Sequence, residues 1–254
     1  MRGEPEIHHC PDPETLGLMA AEYICTVATE SARERGAVSF ALAGGGTPKP
    51  VYECLAGSAY AGRMPWPRVH IFWGDERCVP PDHPYSNYGM ALRAMISRVP
   101  IPRENVHRIL GEESPERAAE AYEQTLRRFF ASPGVKTAPA GGRGFPCFDL
   151  ILLGLGKDGH TASLFPGDPA LEEKHRWVVP VGNPIGEPPV PRVSLSLPVI
   201  NRAGGVVFLV SGKAKQEVVR SVVEGRETGH PPSPAARVRP EGRLVWFVDG
   251  QAWP

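Results

Sequence analysis

The apolar run Phe148-Asp149-Leu150-Ile151-Leu152-Leu153 passes without a gap into the turn GLGKDGHTASLFPG, Gly154 to Gly167. A short apolar run that ends at glycine predicts a buried strand, and parallel sheets are the usual home of such strands. The turn carries Asp158, His160, Thr161 and Ser163, so it delivers polar groups to the carboxyl edge of the sheet. That edge is where open α/β sheets bind ligands.

Segments of strand and helix character alternate through the rest of the chain, which predicts a parallel sheet between helical layers. Asp12-Pro13 opens a helical stretch to about Arg35, with Leu16, Met19, Ala20, Tyr23 and Val27 on one face. Val38 to Leu42 and Val69 to Trp73 read as strands, as do Trp177 to Val181, Val206 to Val210 and Leu244 to Val248. Helices are expected after Pro48, after Ser86 or Asn87, from Ser114 to Phe130 and from Lys213 to Val223.

The 254 residues include 29 prolines and 28 glycines, which concentrate in residues 132–146, 180–191 and 229–240. These three segments are expected to be surface loops of one domain spanning residues 1–254. A chain of this length can bury roughly 70% of its unfolded surface without a staple.

Charge excludes some functions. Lys+Arg and Asp+Glu both number 28, so there is no global basic field for nucleic acid or anionic lipid. A phosphate ligand must then be held by local geometry. The cysteines at 10, 25, 54, 78 and 147 form no CxxC pair or Cys/His cluster, so they are expected as reduced thiols. The polar start MRGEPEIHHCPDPE lacks a signal-peptide core, and no run of about 18 apolar residues occurs. A soluble cytoplasmic protein with no membrane segment is the expectation. His8-His9-Cys10 is compact but sits in a terminus expected to be mobile.

Three further constellations carry chemistry. Ala43-Gly44-Gly45-Gly46-Thr47-Pro48 lies between a strand and a helix N-terminus. Successive glycines there aim N–H groups at one point, and the helix dipole favours an anion. Gly74-Asp75-Glu76-Arg77 ends a second strand in a polar turn and should reach the same edge. Asp75 and Glu76 suit acid/base or orienting work, and Arg77 offers a planar fork for phosphate. Arg192 and Lys215 are basic residues that either neutralise phosphate or lie on the solvated surface.

His160 supplies a base, since an ordinary histidine near pKa 6.5 is mostly neutral at cytosolic pH. Asp158 is close enough in sequence to fix its tautomer. His70 reads as a structural strand residue, and His8, His9, His83, His107, His175 and His230 as loop or surface residues. No metal-ligand cluster stands out.

In this order, AGGGTPKPVYECL, WGDERCVPPDHPYSNYGMA and GLGKDGHTASLFPG resemble the signature blocks of the 6-phosphogluconolactonase family. RVSLSLPVINRAGGVVFLVSGKAK resembles that family's C-terminal half, so the likeness runs from about Pro11 to Asp249. The related glucosamine-6-phosphate deaminases typically read DGHIAFNEP in the last block. Their glutamate assists ring opening, whereas Leu164-Phe165-Pro166 supplies no acid here.

The resemblance implies an α/β sandwich of the sugar-phosphate isomerase/deaminase type with a smaller subdomain. It implies hydrolysis of 6-phospho-D-glucono-1,5-lactone with a sugar phosphate as the partner molecule and no metal or organic cofactor. On it, His160 is the general base, Asp75 and Asp158 support the reaction, and Gly44, Gly45, Gly46, Thr47, Arg77, Arg192 and Lys215 hold phosphate and hydroxyls. Relatives commonly carry serines in an SGGSTP-like glycine loop where this chain has Ala43 and Gly46. Two other readings of the same loops are an amino-sugar-phosphate deaminase or isomerase and a non-catalytic sugar-phosphate sensor.

Overall fold

The structure, a computed structural model, describes residues 4–132, 135, 144–182, 186–223 and 232–254. Residues 133–134 and 136–143 of the first proline- and glycine-rich segment, 183–185 of the second and 229–231 of the third, His230 among them, lie outside the described residues.

In chain order the elements are β1 (Glu6–Cys10), α1 (Pro13–Arg35), β2 (Val38–Leu42), α2 (Pro48–Leu55), α3 (Ser58–Ala61), β3 (Val69–Trp73), β4 (Asp75–Arg77) and α4 (Asn87–Ala94). Next come α5 (Pro115–Phe130), β5 (Leu150–Leu153), β6 (Val178–Val181), β7 (Arg192–Leu195), α6 (Leu197–Asn201), β8 (Gly205–Val210), α7 (Gln216–Val223) and β9 (Arg243–Asp249). Six strands form a parallel sheet in the order β1-β9-β8-β5-β2-β3. The other three form an antiparallel sheet, β4-β7-β6. The expected α/β sandwich with a smaller subdomain is what the chain adopts.

Every residue of β2, β5 and β8 is buried, as a sheet covered on both faces requires. Helix ends follow local chemistry. Asp12 accepts from the Thr15 N–H at 2.7 Å to open α1, and Gly36, at φ 85°, closes it. Ser86 caps α4 through the Gly89 N–H at 3.0 Å.

The chain leaves β2 outward toward β3 and leaves β5 in the opposite direction, toward β8. The strand order therefore reverses between β2 and β5, and the loops after these two strands part to open a crevice. No described helix is long and apolar enough to cross a membrane.

Five expectations need correction. His8-His9-Cys10 is not a mobile terminus; it belongs to β1, which pairs with β9 alone at the sheet edge. His9 sets its ring edge against Trp253 at 4.0 Å. Gly74-Asp75-Glu76-Arg77 is not only a turn, because Asp75 to Arg77 pairs with β7 as a strand. Lys213 to Val223 divides into a 3₁₀ turn, Lys213–Lys215, and α7. His107 is neither loop-exposed nor solvated: its Nε2 lies 3.2 Å from Nδ1 of His70, and it stacks on Phe72 at 4.4 Å. Burial, with His70 adding to it, pushes His107 down to about 4, so this pair is neutral packing. Trp177 to Val181 does supply a strand, but in the antiparallel sheet.

Candidate active site

A cavity of about 260 Å³ occupies the crevice at the β2/β5 switch point. Its walls come from four strand ends: Gly44 to Thr47 after β2, Gly74 and Asp75 after β3, Gly154 to Gly156 with His160 and Ala162 after β5, and Ser211 with Lys215 after β8.

The glycine loop is held from below. Tyr52 on α2 donates its hydroxyl to the Ala43 carbonyl at 2.8 Å and accepts from the Ala43 N–H at 3.0 Å. Beyond that strut, none of the Gly44, Gly45 and Gly46 N–H groups finds an acceptor among the described residues. Thr47 precedes α2 without capping it through its side chain. Unfilled donors at a helix N-terminus suit an anion. Two glycines have distinct reasons to be glycine. Gly45 adopts φ 93°, and a Cβ at Gly44 would fall 1.8 Å from Oδ1 of Asn87. At Gly46 a side chain would enter open space, so its lack of one removes a donor without a packing reason.

The turn after β5 is built around its histidine. Gly156 donates its N–H to the His160 carbonyl at 2.8 Å, and a Cβ on Gly156 would meet His160 Nδ1 at 2.0 Å. Gly159 takes φ 80°, and Ala162 is the sole non-glycine with positive φ, 47°, among the described residues. Backbone strain of that kind costs on the order of 1–3 kcal/mol and gathers at functional turns.

The His160 Nδ1 lies 2.5 Å from Asp158 Oδ1, and the same oxygen accepts the His160 N–H at 3.1 Å. Because a carboxylate only accepts, Nδ1 carries the proton and Nε2 keeps its lone pair. Burial pushes Asp158 up, but the hydrogen bond and charge of His160 win and hold it down to about 2. Phe165 packs on the imidazole with ring centroids 4.5 Å apart. The site therefore presents an imidazole whose second nitrogen is already engaged.

The structure brings Asp75, Asp158, His160, Gly44, Gly45, Gly46, Thr47 and Lys215 to one cavity or its rim. Lys215 is half-buried; burial lowers its pKa, Lys157 lowers it further and Asp158 opposes both. Arg77 and Arg192 are placed differently: they stand opposite each other in β4 and β7 and do not line this cavity. Arg77 donates to the Tyr85 carbonyl at 2.8 Å and Arg192 to the Pro188 carbonyl at 3.0 Å. Each keeps a buried Nε without a partner among the described residues. Burial pulls the pKa of Arg192 down, Asp75 opposes this and Arg77 reinforces it.

Sequence reasoning missed Asn87 as part of the site's frame and read Glu76 as an acid/base or orienting group, whereas Glu76 holds the frame. Asn87 donates to the Asp75 carbonyl at 2.9 Å and to its Oδ1 at 3.3 Å. Glu76 points to the other face of β4 and accepts from the N–H groups of Arg77, Asn87 and Tyr88 and from the Ser86 hydroxyl. Its signal was the polar pair Ser86-Asn87 that caps α4, which needs an acceptor to hold it. Among the described residues no group of three or more His, Cys, Asp or Glu side chains is arranged to hold a metal ion.

Comparison with known proteins agrees with this architecture. The family model of glucosamine-6-phosphate isomerases/6-phosphogluconolactonase matches residues 11–246. A 6-phosphogluconolactonase of Synechocystis sp. is 45% identical over 98% of this chain and 97% of its own length. The crystal structure of 6-phosphogluconolactonase from Thermotoga maritima superimposes with a TM-score of 0.80 at 33% identity, covering 97% of this chain and all of that one, 100%. The enzyme of the same name from Trypanosoma brucei reaches 0.84 at 30% identity, over 98% of this chain and 97% of its own. A monomeric glucosamine-6-phosphate deaminase, 20% identical with a TM-score of 0.76, shares the fold. By its sequence, its sheet topology and the crevice they build, the chain belongs to the glucosamine-6-phosphate isomerase/6-phosphogluconolactonase family.

Proposed function

We infer that this chain hydrolyses 6-phospho-D-glucono-1,5-lactone to 6-phospho-D-gluconate, the second step of the oxidative pentose phosphate pathway. One observation carries the reading: His160, with Nδ1 engaged by Asp158, faces the same cavity as a loop of unfilled N–H donors and Lys215. Relatives that bear the lactonase name along nearly the whole chain support it.

A lactone is an activated ester, so positioned water, a base and stabilisation of a developing oxyanion suffice. In our reading Nε2 of His160 takes a proton from water as the water oxygen adds to the carbonyl carbon C1. The tetrahedral oxyanion then collapses, the bond from C1 to the ring oxygen breaks, and the imidazolium returns its proton to that oxygen. Asp158 holds the tautomer and stabilises the imidazolium. Gly44 to Thr47 and Lys215 take the phosphate, Asp75 accepts from a substrate hydroxyl, and Arg77 and Arg192 contribute positive field from the adjoining sheet. We treat the 254 residues as one domain around a continuous apolar core and place it in the cytoplasm, a reading supported by the thiols of Cys10, Cys25, Cys54 and Cys78.

The test is acid release from freshly generated 6-phosphogluconolactone, corrected for spontaneous opening. Turnover well above that background is expected, with no ammonia from glucosamine 6-phosphate. Calorimetric binding of 6-phosphogluconate without turnover of the lactone would instead make the protein a sensor.

A further inference from the structure

The reaction just described leaves Thr161 and Ser163 of the His160 turn unused, and Thr161 spends its hydroxyl within the turn on the Gly154 carbonyl at 2.8 Å. Ser163 is 0% exposed, and its hydroxyl donates to Asp75 Oδ2 at 2.6 Å across 88 residues of sequence. Its N–H donates to the Ser194 hydroxyl at 3.3 Å. Ser194 is the residue opposite Asp75 in the β4/β7 register. Ser163 is thus tied twice to the small sheet at the level of Asp75.

Asp75 is itself only 6% exposed, yet it lines the cavity. Asn87 reaches its other oxygen at 3.3 Å, and among the described residues no salt bridge neutralises it. A buried carboxylate so placed must be satisfied by hydrogen bonds. The short contact from Ser163 is the stronger of the two, since a hydrogen bond to an ionised oxygen lies at 2.5–2.7 Å when well formed.

A serine beside a carboxylate invites comparison with a nucleophile and its base. Burial argues against that role here, because a side chain with no exposed surface cannot reach a substrate carbon. What the hydroxyl can do is hold Asp75. Since Ser163 follows His160 by three residues in one turn, any movement of that turn is transmitted to the carboxylate through a single hydrogen bond.

We propose that Ser163 is a positioning residue for lactone hydrolysis: its hydroxyl fixes the Asp75 carboxylate in register with His160, so that acceptor and base act on one bound substrate. The proposal rests on the lactonase reading of the cavity. It explains why the position takes a small donor. Alanine gives no donor, cysteine a weak one, and threonine adds a methyl group where no space is exposed.

The experiment is a double-mutant cycle with freshly generated 6-phosphogluconolactone, measuring kcat and KM for wild type, Ser163→Ala, Asp75→Asn and the double variant. For Ser163→Ala, kcat is expected to fall about 10-fold or more while KM moves less than about twofold, because a loosened acceptor misplaces the substrate without releasing it. On the Asp75→Asn background the same substitution should cost nothing further. If Ser163→Ala fails to fold, Ser163→Cys, nearly isosteric and a poor donor, carries the same expectation. Wild-type kcat in the serine variant, wild-type kcat in Asp75→Asn, or an undiminished loss in the double variant overturns the proposal while the lactonase reading stands. Wild-type protein that does not exceed spontaneous opening removes that reading and the proposal with it.

Discussion

Each end of the parallel sheet buries a carboxylate, and the surroundings of the two are opposite. At the amino end, Asp149 sits just before β5 and accepts from the Arg35 guanidinium at 2.6 Å, the Ser39 N–H at 2.8 Å and the Ser39 hydroxyl at 2.9 Å. The charge is answered by a charge and closed off. At the carboxyl end, Asp75 is held by the neutral side chains of Ser163 and Asn87 and faces a cavity. Nearby, Lys215 and a row of N–H groups with no acceptor among the described residues offer positive potential. A closed network of this kind joins α1, β2 and β5 into a fold. An open one is unfinished without a ligand, and that difference separates a structural carboxylate from a functional one more reliably than burial does.

Substitutions at the two ends should therefore separate stability from activity. The largest effect is expected from Asp149→Ala, which takes the buried partner from Arg35 and leaves the Ser39 N–H unpaired: about 3 kcal/mol of unfolding free energy should be lost. Activity per folded molecule should stay near wild type. Urea denaturation followed by assay of the folded fraction checks both, and a stable but inactive variant would blur the contrast.

At the other end, Gly44→Ala forces a Cβ into the Asn87 amide that steadies Asp75. A fall of about 100-fold in kcat/KM is expected from the misplaced carboxylate, with a smaller loss of stability than in Asp149→Ala. Wild-type kcat/KM would show that Asp75 does not need Asn87.

The smallest effect concerns Glu76, which shares β4 with Asp75 but turns to the opposite face. Burial pushes it up from 4.5 to about 6 against the pull of the Tyr88, Asn87 and Arg77 N–H groups. A carboxyl that binds its proton more tightly in the folded state adds stability below its unfolded pKa and loses it as pH rises through the folded value. The stability advantage of wild type over Glu76→Gln should accordingly shrink between pH 4.5 and about 6. Urea midpoints that widen in that window would mean that the four donors outweigh burial.

What could be read from sequence was what is local. β2 and β3 follow directly from short, mostly apolar runs broken only by Ser39 and His70, and Asp12 and Gly36 mark α1 because caps act within one turn. His160 and Asp158 were legible together since they lie two residues apart. β1 was not, because an edge strand with two histidines and one fully buried residue lacks an apolar pattern. β4 is three residues long and its identity depends on pairing with β7, far along the chain. For the same reason the partnership of Ser163 with Asp75 and the alignment of Arg77 with Arg192 had no sequence signal. The resemblance named the basic residues of the site but could not say that two of them stand on the neighbouring sheet.

The central claim is that the open end works through the base at His160, and the most direct measurement is hydrolysis of freshly generated 6-phosphogluconolactone by His160→Ala. Among the described residues the imidazole bonds or packs only with Asp158 and Phe165, so the variant should fold. Its kcat should fall by about 10²- to 10⁴-fold, the range of general-base assistance. A folded His160→Ala protein that keeps wild-type turnover would contradict the assignment of His160 as the base.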